Sequence, residues 1–531
     1  MEFVFNAING PPKLPSPEDV VSKLADTISF ATLLEDRRAA VLALRGLAKD
    51  CPLAVGTKAM AGLVAVLGTD ARDPVIVRAA IETLAAVCTA SLDDLGTMFS
   101  EIYTKEISNV SILLDMLQET EFYVRYSLMQ FLGALFLNSP KQLQAGILAS
   151  PMGISRLMDL LGDSHEILRN EGILLLNGLT RSNADIQKIV AFENAFDRLF
   201  AIIIAEGGVD GGIVAQDCLQ LMDNLLRFNV SNQNLFREND FVKRIPQLLL
   251  VHDSDFTGTT QLIVPIYCKT ISWDPQKITN TLHVLAIIVI LTEPNTSNLL
   301  IIQNLLGKSD LMATVFNLAT MTNVPLEIRT LSLQVVADII RNNPSNQSRF
   351  AGLDVSGFSV SGMAVKTTVE VSLKKEHFSI RAAACYLFQS YLYQNPVSQC
   401  DIIRDLKFAW QEERMESVSM LLIRTLLDQD SITRDPCSIW LAANMLMHIL
   451  NENEECKQLA LINDPKDDIS TLDKIMYVLL ATIRESLDLR ATVAILCLTA
   501  VWLYDCRAAI NAFLVEGSNM QLVYFLVMID Y

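Results

Sequence analysis

The sequence predicts an all-α fold: a right-handed superhelical solenoid of armadillo or HEAT type, with about 11–12 helical units. Three observations predict it. An arginine followed by a Leu-rich helical run recurs as DRRAAVLALRGLA (Asp36–Ala48), PVIVRAAIETLAAV (Pro74–Val87), FYVRYSLMQFLGAL (Phe122–Leu135) and EILRNEGILLLNGLT (Glu166–Thr180). The matching arginines, Arg38, Arg78, Arg125 and Arg169, are 40, 47 and 44 residues apart. At 531 residues and 51% hydrophobic content the chain exceeds what one core organises, whereas an array adds units rather than core radius.

In chain order, residues 1–16 contain Gly10, Pro11, Pro12 and Pro15 and read as a flexible lead, and residues 17–531 as the solenoid. Ser16–Pro17–Glu18–Asp19 starts the first helix, with proline in the first turn and acids near the positive helix end. From Leu53 a two-helix grammar is expected: a shorter covering helix, a polar turn, then a long packed helix. The turns QETE (Gln118–Glu121) and GDSHE (Gly162–Glu166) punctuate it. GGVDGG (Gly207–Gly212) has neither a strand before it nor Gly-Lys-Ser/Thr after it, so it reads as a flexible turn rather than a phosphate loop. Pro246–Val251, Gln261–Cys268 and Gln276–Leu291 continue the array less regularly.

Later copies of the repeat are PLEIRTLSLQVVADI (Pro325–Ile339), HFSIRAAACYLFQSYL (His377–Leu392) and SLDLRATVAILCLTAVWL (Ser486–Leu503). Arg329 and Arg381 lie 52 residues apart, so an irregular insertion is expected at about 342–375, an added loop leading into a short covering helix near Met363–Leu373. The chain stops in apolar LVYFLVMIDY without a polar capping repeat. This reads as a cut inside a longer array.

The net charge of -18, from 60 acidic and 42 basic residues with no basic stripe, argues against nucleic acid and favours basic protein patches as partners. No CxxC occurs among the ten cysteines; Cys88, Cys385 and Cys497 sit in apolar runs and read as buried thiols. Leu282–Thr292 and Ala491–Tyr504 are the longest apolar candidates and fall short of the ~20 residues a membrane-spanning helix needs. None of the five histidines has zinc-ligand spacing, and no hydrolase or kinase signature is present, so neither cofactor nor metal nor catalysis is expected.

The repeated arginines read first as groove-spanning packing residues. Around Arg169 the pattern is denser. Asn170 and Asn177, seven apart, share a helix face, and Arg181, Gln187, Lys188, Glu193 and Asn194 follow with the aromatics Phe192 and Phe196 at i, i+4. Core packing explains most of these aromatics, but amides and guanidinium groups beside a helical wall suit protein recognition, and Phe192 would be the anchor if partly exposed.

LLEDRRAAVLALRGLAK (Leu33–Lys49), LRNEGILLLNGLTRSNADIQKIVAFENAFDRLF (Leu168–Phe200), GGIVAQDCLQLMDNLLRFNVSNQNLFRE (Gly211–Glu238) and RAAACYLFQSYLYQN (Arg381–Asn395) resemble the globular head of the general vesicular transport factor family, the long vesicle tethers, on its fungal branch. The resemblance implies a cytosolic protein held peripherally on the Golgi and on ER-derived vesicles. It implies an armadillo head followed by a dimerising coiled coil, which this chain lacks; any self-association here would come from the head. The implied partners are a Rab GTPase of the early secretory pathway, SNAREs and golgins, with no nucleic acid and no transmembrane segment. The competing reading is a peptide-binding adaptor or nuclear-transport receptor, which would repeat Asn and Trp at unit spacing.

Overall fold

The computed structural model describes residues 16–91, 94–252, 263–266, 272–294, 298–353, 362–411, 417–485 and 487–520. The expected lead lies outside them, except for Ser16. The chain divides into two compact units, Met1–Glu206 with Ile213–Leu235 and Gly207–Gly212 with Phe236–Tyr531.

In the first unit long helices form a ladder, each packed on the next: α1 (Leu34–Leu47), α2 (Pro74–Cys88), α3 (Phe122–Asn138), α4 (Glu166–Thr180) and α5 (Ile213–Leu226). Local chemistry sets their starts. Asp73 accepts from the Val75 and Ile76 amides while Pro74 fills the first position, where a missing N–H costs nothing. The single helix Pro52–Thr69 precedes α2, the two-helix layer expected, but two shorter helices precede α3, α4 and α5, for example Pro140–Ala149 and Gly153–Asp159 before α4, and Ala184–Phe192 and Ala195–Ala205 before α5. From α3 on the unit is therefore a three-helix armadillo repeat. One left-handed residue turns the corner between the short helices: Met152 (φ 59°) in one repeat, Asn194 (φ 64°) in the next. This corner also separates the expected aromatic pair, since Phe192 ends one helix and Phe196 lies buried in the next.

The second unit repeats the ladder with α6 (Pro275–Leu291), α7 (Leu326–Ile340), α8 (Phe378–Leu392), α9 (Pro436–Leu450) and α10 (Leu489–Leu503). Among the described residues it carries one two-stranded sheet, a departure from an all-helical reading. β1 (Leu250–His252) pairs antiparallel with β2 (Ile263–Pro265), Leu250 facing Pro265 and His252 facing Ile263. The glycine cluster beside it is pinned rather than flexible. Asn280 donates to the carbonyls of Val209 (3.2 Å) and Gly211 (2.7 Å), Lys277 pairs with Asp210 at 2.5 Å, and Gly208 (φ +66°) leaves no room for a Cβ that would meet the Leu248 carbonyl at 3.0 Å.

The loop expected within 342–375 falls on residues outside the described structure, and the described parts of that stretch are helical. Helices Pro344–Ala351 and Met363–Leu373 are the two short helices of an ordinary repeat, separated by Gly362 (φ +80°); residues 354–361 lie outside the described structure. The covering helix falls at the expected Met363–Leu373.

One helix among the described residues, Pro52–Thr69, is long and apolar enough to cross a membrane by length and composition; the bent pair Leu299–Lys308 and Leu311–Thr320 passes only jointly. In Pro52–Thr69 the side chains of Val55, Ala59, Leu63, Val66 and Leu67 are buried in the helical stack, which accounts for its hydropathy. Cys88 and Cys385 are buried as expected, but Cys497 is exposed, because its helix α10 turns that face outward.

Candidate protein-binding surface

The repeated arginine serves as a clamp between repeats. Arg38 on α1 donates to Asp73 at the start of α2 (Nε at 2.8 Å), and Arg125 on α3 pairs with Asp163 in the turn before α4. Arg169 on α4 reaches Glu206 at 3.3 Å. In the second unit Arg329 on α7 pairs with Glu376 (3.1 Å) before α8, and Arg381 on α8 pairs with Asp435 (3.0 Å) before α9. Arg78 differs, binding Glu82 one turn along its own helix at 2.7 Å. Burial would raise the Asp73 carboxyl, but hydrogen bonds from Arg38 and two backbone amides carry it below its ordinary value. Burial is likewise outweighed at Asp163 by the His165 amide and Arg125, and at Asp435 by Arg381 and Ser438.

A second device was invisible to the sequence reading. The first short helix of several repeats begins Asn-x-x-x-Gln: Asn183/Gln187, Asn229/Gln233, Asn343/Gln347 and Asn395/Gln399. The asparagine caps its own helix, and the glutamine donates to carbonyls that end a ladder helix, one for Gln187 (Thr180) and Gln233 (Leu226) and two for Gln347 and Gln399. Gln399 donates to the carbonyls of His448 (2.9 Å) and Asn451 (3.3 Å) at the end of α9 while its own oxygen accepts from Asn453 (3.0 Å). Gln347 does the same to Ser390 and Tyr393, and Gln303 to Asp338 and Arg341. Ladder-helix C-termini leave carbonyls without intrahelical donors, and these amides satisfy them.

This device disperses the predicted site. Gln187 is 8% exposed, donates to the Thr180 carbonyl (2.8 Å) and accepts from Asn229 (3.0 Å), so it is structural and not a contact residue. Asn177 is half-buried, donating to the Asp217 carbonyl (2.8 Å) and accepting from Asn224 (3.2 Å) on the next ladder helix. Arg169 is held by Glu206, and Asn170 is half-buried with its Oδ1 atom enclosed. Glu193 accepts from Ser155 Oγ (2.9 Å), joining neighbouring short helices. Four predicted residues remain outward: Arg181, Lys188, Phe192 and Asn194. Phe192 is 82% exposed, and Lys188, one turn before it, carries only a long contact to Asp185 at 4.0 Å. Ile189 beside them is also exposed.

A second surface lies on the ladder. Arg78 and Glu82 of α2, Phe122, Tyr123, Tyr126 and Gln130 of α3, and Ile167 of α4 line an open cavity of about 380 Å³. The rings of Phe122 and Tyr126 stack at 6.0 Å, Phe122 meets Tyr123 edge-on at 5.2 Å, and the Arg78 guanidinium lies 4.9 Å over the Tyr123 ring. The sequence shows these rings only as part of a repeat copy; their gathering in one groove depends on the packing of α2, α3 and α4. Among the described residues no group of His, Cys, Asp and Glu could hold a metal ion.

Residues 343–528 match the family model described as Uso1 / p115 like vesicle tethering protein, head region. The chain is 35% identical over 548 residues to the General vesicular transport factor p115 of Bos taurus, covering 98% of this chain and 54% of that protein. Against the intracellular protein transport protein uso1 of Schizosaccharomyces pombe the identity is 27%, covering 97% of this chain and 49% of the relative. The chain thus spans about half the length of these curated relatives. The higher identity to the cattle protein removes the expectation of a specifically fungal member. A solved structure titled Crystal structure of Uso1-2 shares the fold, with a TM-score of 0.83 at 23% identity, covering 97% of this chain and 83% of that one. Its armadillo ladder agrees with the repeat read here from the arginine spacing. By head-region match, near-complete alignment and shared fold, this chain is similar to the head regions of the Uso1/p115-like vesicle tethering proteins.

Proposed function

We propose that the chain is the non-enzymatic head of a membrane tether that docks ER-derived vesicles at the Golgi. It binds a Rab GTPase of the early secretory pathway together with SNARE or golgin partners, on the cytoplasmic side and peripherally attached. The observation that carries this reading is the alignment of 98% of the chain with a protein named a general vesicular transport factor. A repeat stack suits the task, since it offers a long stiff wall for macromolecular contacts. In the longer protein a coiled coil would dimerise the heads, and two weak attachments on one molecule raise the effective concentration of the second.

The contact is the outward strip of Arg181, Lys188, Phe192 and Asn194. A bare phenylalanine ringed by polar groups is the pattern of an interface anchor. The nuclear-transport alternative has less support: on the ladder only Trp440, with Asn444 one turn on, places a part-exposed tryptophan near an amide among the described residues. The test is capture of purified Rab GTPases, GTP-loaded and GDP-loaded, by the intact chain and by Lys188→Glu/Phe192→Ser. GTP-dependent capture by the parent and at least about tenfold weaker capture by the variant are expected. Equal capture by both, with folding intact, removes the strip as the contact.

A further inference from the structure

We propose that the groove across α2, α3 and α4 receives an extended peptide segment presenting an arginine or lysine to the rings of Tyr123 and Tyr126. This site is separate from the strip at Lys188 and Phe192 and does not depend on it.

Three features of the groove select that occupant. Val75, Tyr123 and Ile167 stand near the starts of consecutive ladder helices, each more than half exposed, and form an apolar row across them. Packed helices lie about 8–10 Å apart and an extended chain rises about 3.3 Å per residue, so a strand laid across the row would place one side chain per helix at about every third residue. Apolar residues at that spacing, with a basic one between, fit it.

The aromatic faces already accept a cation, since the Arg78 guanidinium sits over Tyr123. The stacked Phe122–Tyr126 pair offers further ring surface in the same cavity.

The charge balance then sets the sign of the partner. Arg78 and Arg45 both bind Glu82 (2.7 and 2.9 Å), and Arg125 is held by Asp163, so the nearby cations are engaged. Glu171 on α4 receives only the neutral Gln130 amide, at 3.2 Å. Glu121 and Glu166 stand exposed beside the lining residues. A basic side chain would meet a carboxylate without a matched cation, whereas an acidic one would meet repulsion. The net charge of -18 draws such segments toward the chain, but the rings and Glu171 fix where they settle.

The test uses the intact chain and two fluorescein-labelled peptides of about a dozen residues, Gly and Ser with two leucines and two arginines spaced about three apart, or glutamates replacing the arginines. Binding is read by fluorescence anisotropy at low and physiological salt. The arginine peptide is expected to bind at least about tenfold more tightly than its glutamate twin. Tyr126→Ala and Glu171→Lys each weaken it about five- to tenfold, and Tyr126→Phe keeps it, because the ring rather than the hydroxyl makes the contact. Glu18→Lys, an equal charge change at an exposed site outside the groove, leaves binding unchanged, and circular dichroism checks that every variant is folded. Binding of neither peptide, preference for glutamate, or equal loss in Glu18→Lys and Glu171→Lys would overturn the proposal, the last by showing attraction to bulk charge alone.

Discussion

The guanidinium of Arg381 lies 3.0 Å from the carboxylate of Asp435, 54 residues further on and at the position that starts the next ladder helix. Arg381 also donates to the Ser372 carbonyl (2.8 Å) and to Ser438 Oγ (2.8 Å), so one buried side chain ties three segments of two repeats.

Removing it strands its partners. Arg381→Ala is expected to lower stability by about 2–3 kcal/mol, the low end for a broken buried pair because Asp435 is partly exposed. Arg381→Met combined with Asp435→Leu should lose less than the two single losses summed, since neither leaves a charge behind. Thermal unfolding of the four proteins in a double-mutant cycle checks this.

The amide bridges give a second expectation. Gln399→Leu leaves the His448 and Asn451 carbonyls and the Asn453 amide without their partner, at a cost of about 1–3 kcal/mol. Urea unfolding is the measurement, and the hydrogen exchange of amides near the end of α9 should rise with it.

Acid should loosen the clamps together. The carboxyls of Asp73, Asp163 and Asp435 lie below their ordinary 3.8 in the folded chain, and Glu376 lies below its ordinary 4.5, held by Lys374 and Arg329 against burial. A depressed folded value means their stabilisation is complete above the unfolded values. It is lost as pH falls through the lower folded ones. Melting temperature should therefore hold from neutral pH to about 5 and drop below about 4, and Asp73→Asn should flatten part of that drop.

Close packing gives the fourth. A Cβ at Gly56 would sit 2.3 Å from the ring of Phe99, which is itself buried. Gly56→Ala should destabilise by about 1–3 kcal/mol, and Phe99→Leu in the same chain should recover part of it by vacating that space. Calorimetry of the single and double variants decides it.

The exposed strip gives the opposite expectation. Phe192→Ser should change stability by no more than about 0.5 kcal/mol, because the ring is 82% exposed and contributes little to the core. A larger loss in thermal melting would show that the ring packs rather than presents.

The repeat was legible because burial imposes a helical period, and the arginine at its head stands out against apolar residues. Its role as a clamp to the next repeat was not, because the acid it meets lies 35 residues away for Arg38 and 54 for Arg381. The glutamines misled more deeply. Gln187 looks like surface polarity in the sequence, yet its partners are backbone carbonyls, which carry no sequence signature. Only its spacing from Asn183, repeated at Asn343/Gln347 and Asn395/Gln399, could have exposed it. The helix Pro344–Ala351 is hard to see in the sequence for a related reason: it buries Asn346, Gln347 and Phe350, so its inner face is largely amide and lacks the apolar period that marks a helix. The exposure of Phe192, on which an anchor role depends, hangs on a corner at Asn194 that propensity alone does not place.

Three of the glutamines, Gln187 with Asn229, Gln303 with Asn343 and Gln399 with Asn453, join equivalent positions of successive modules. The donors and acceptors left by excising one whole module are therefore those its neighbours already know how to match. Removing a whole module would keep these amides matched, while a cut between a bridging glutamine and its asparagine would leave a buried amide without its partner.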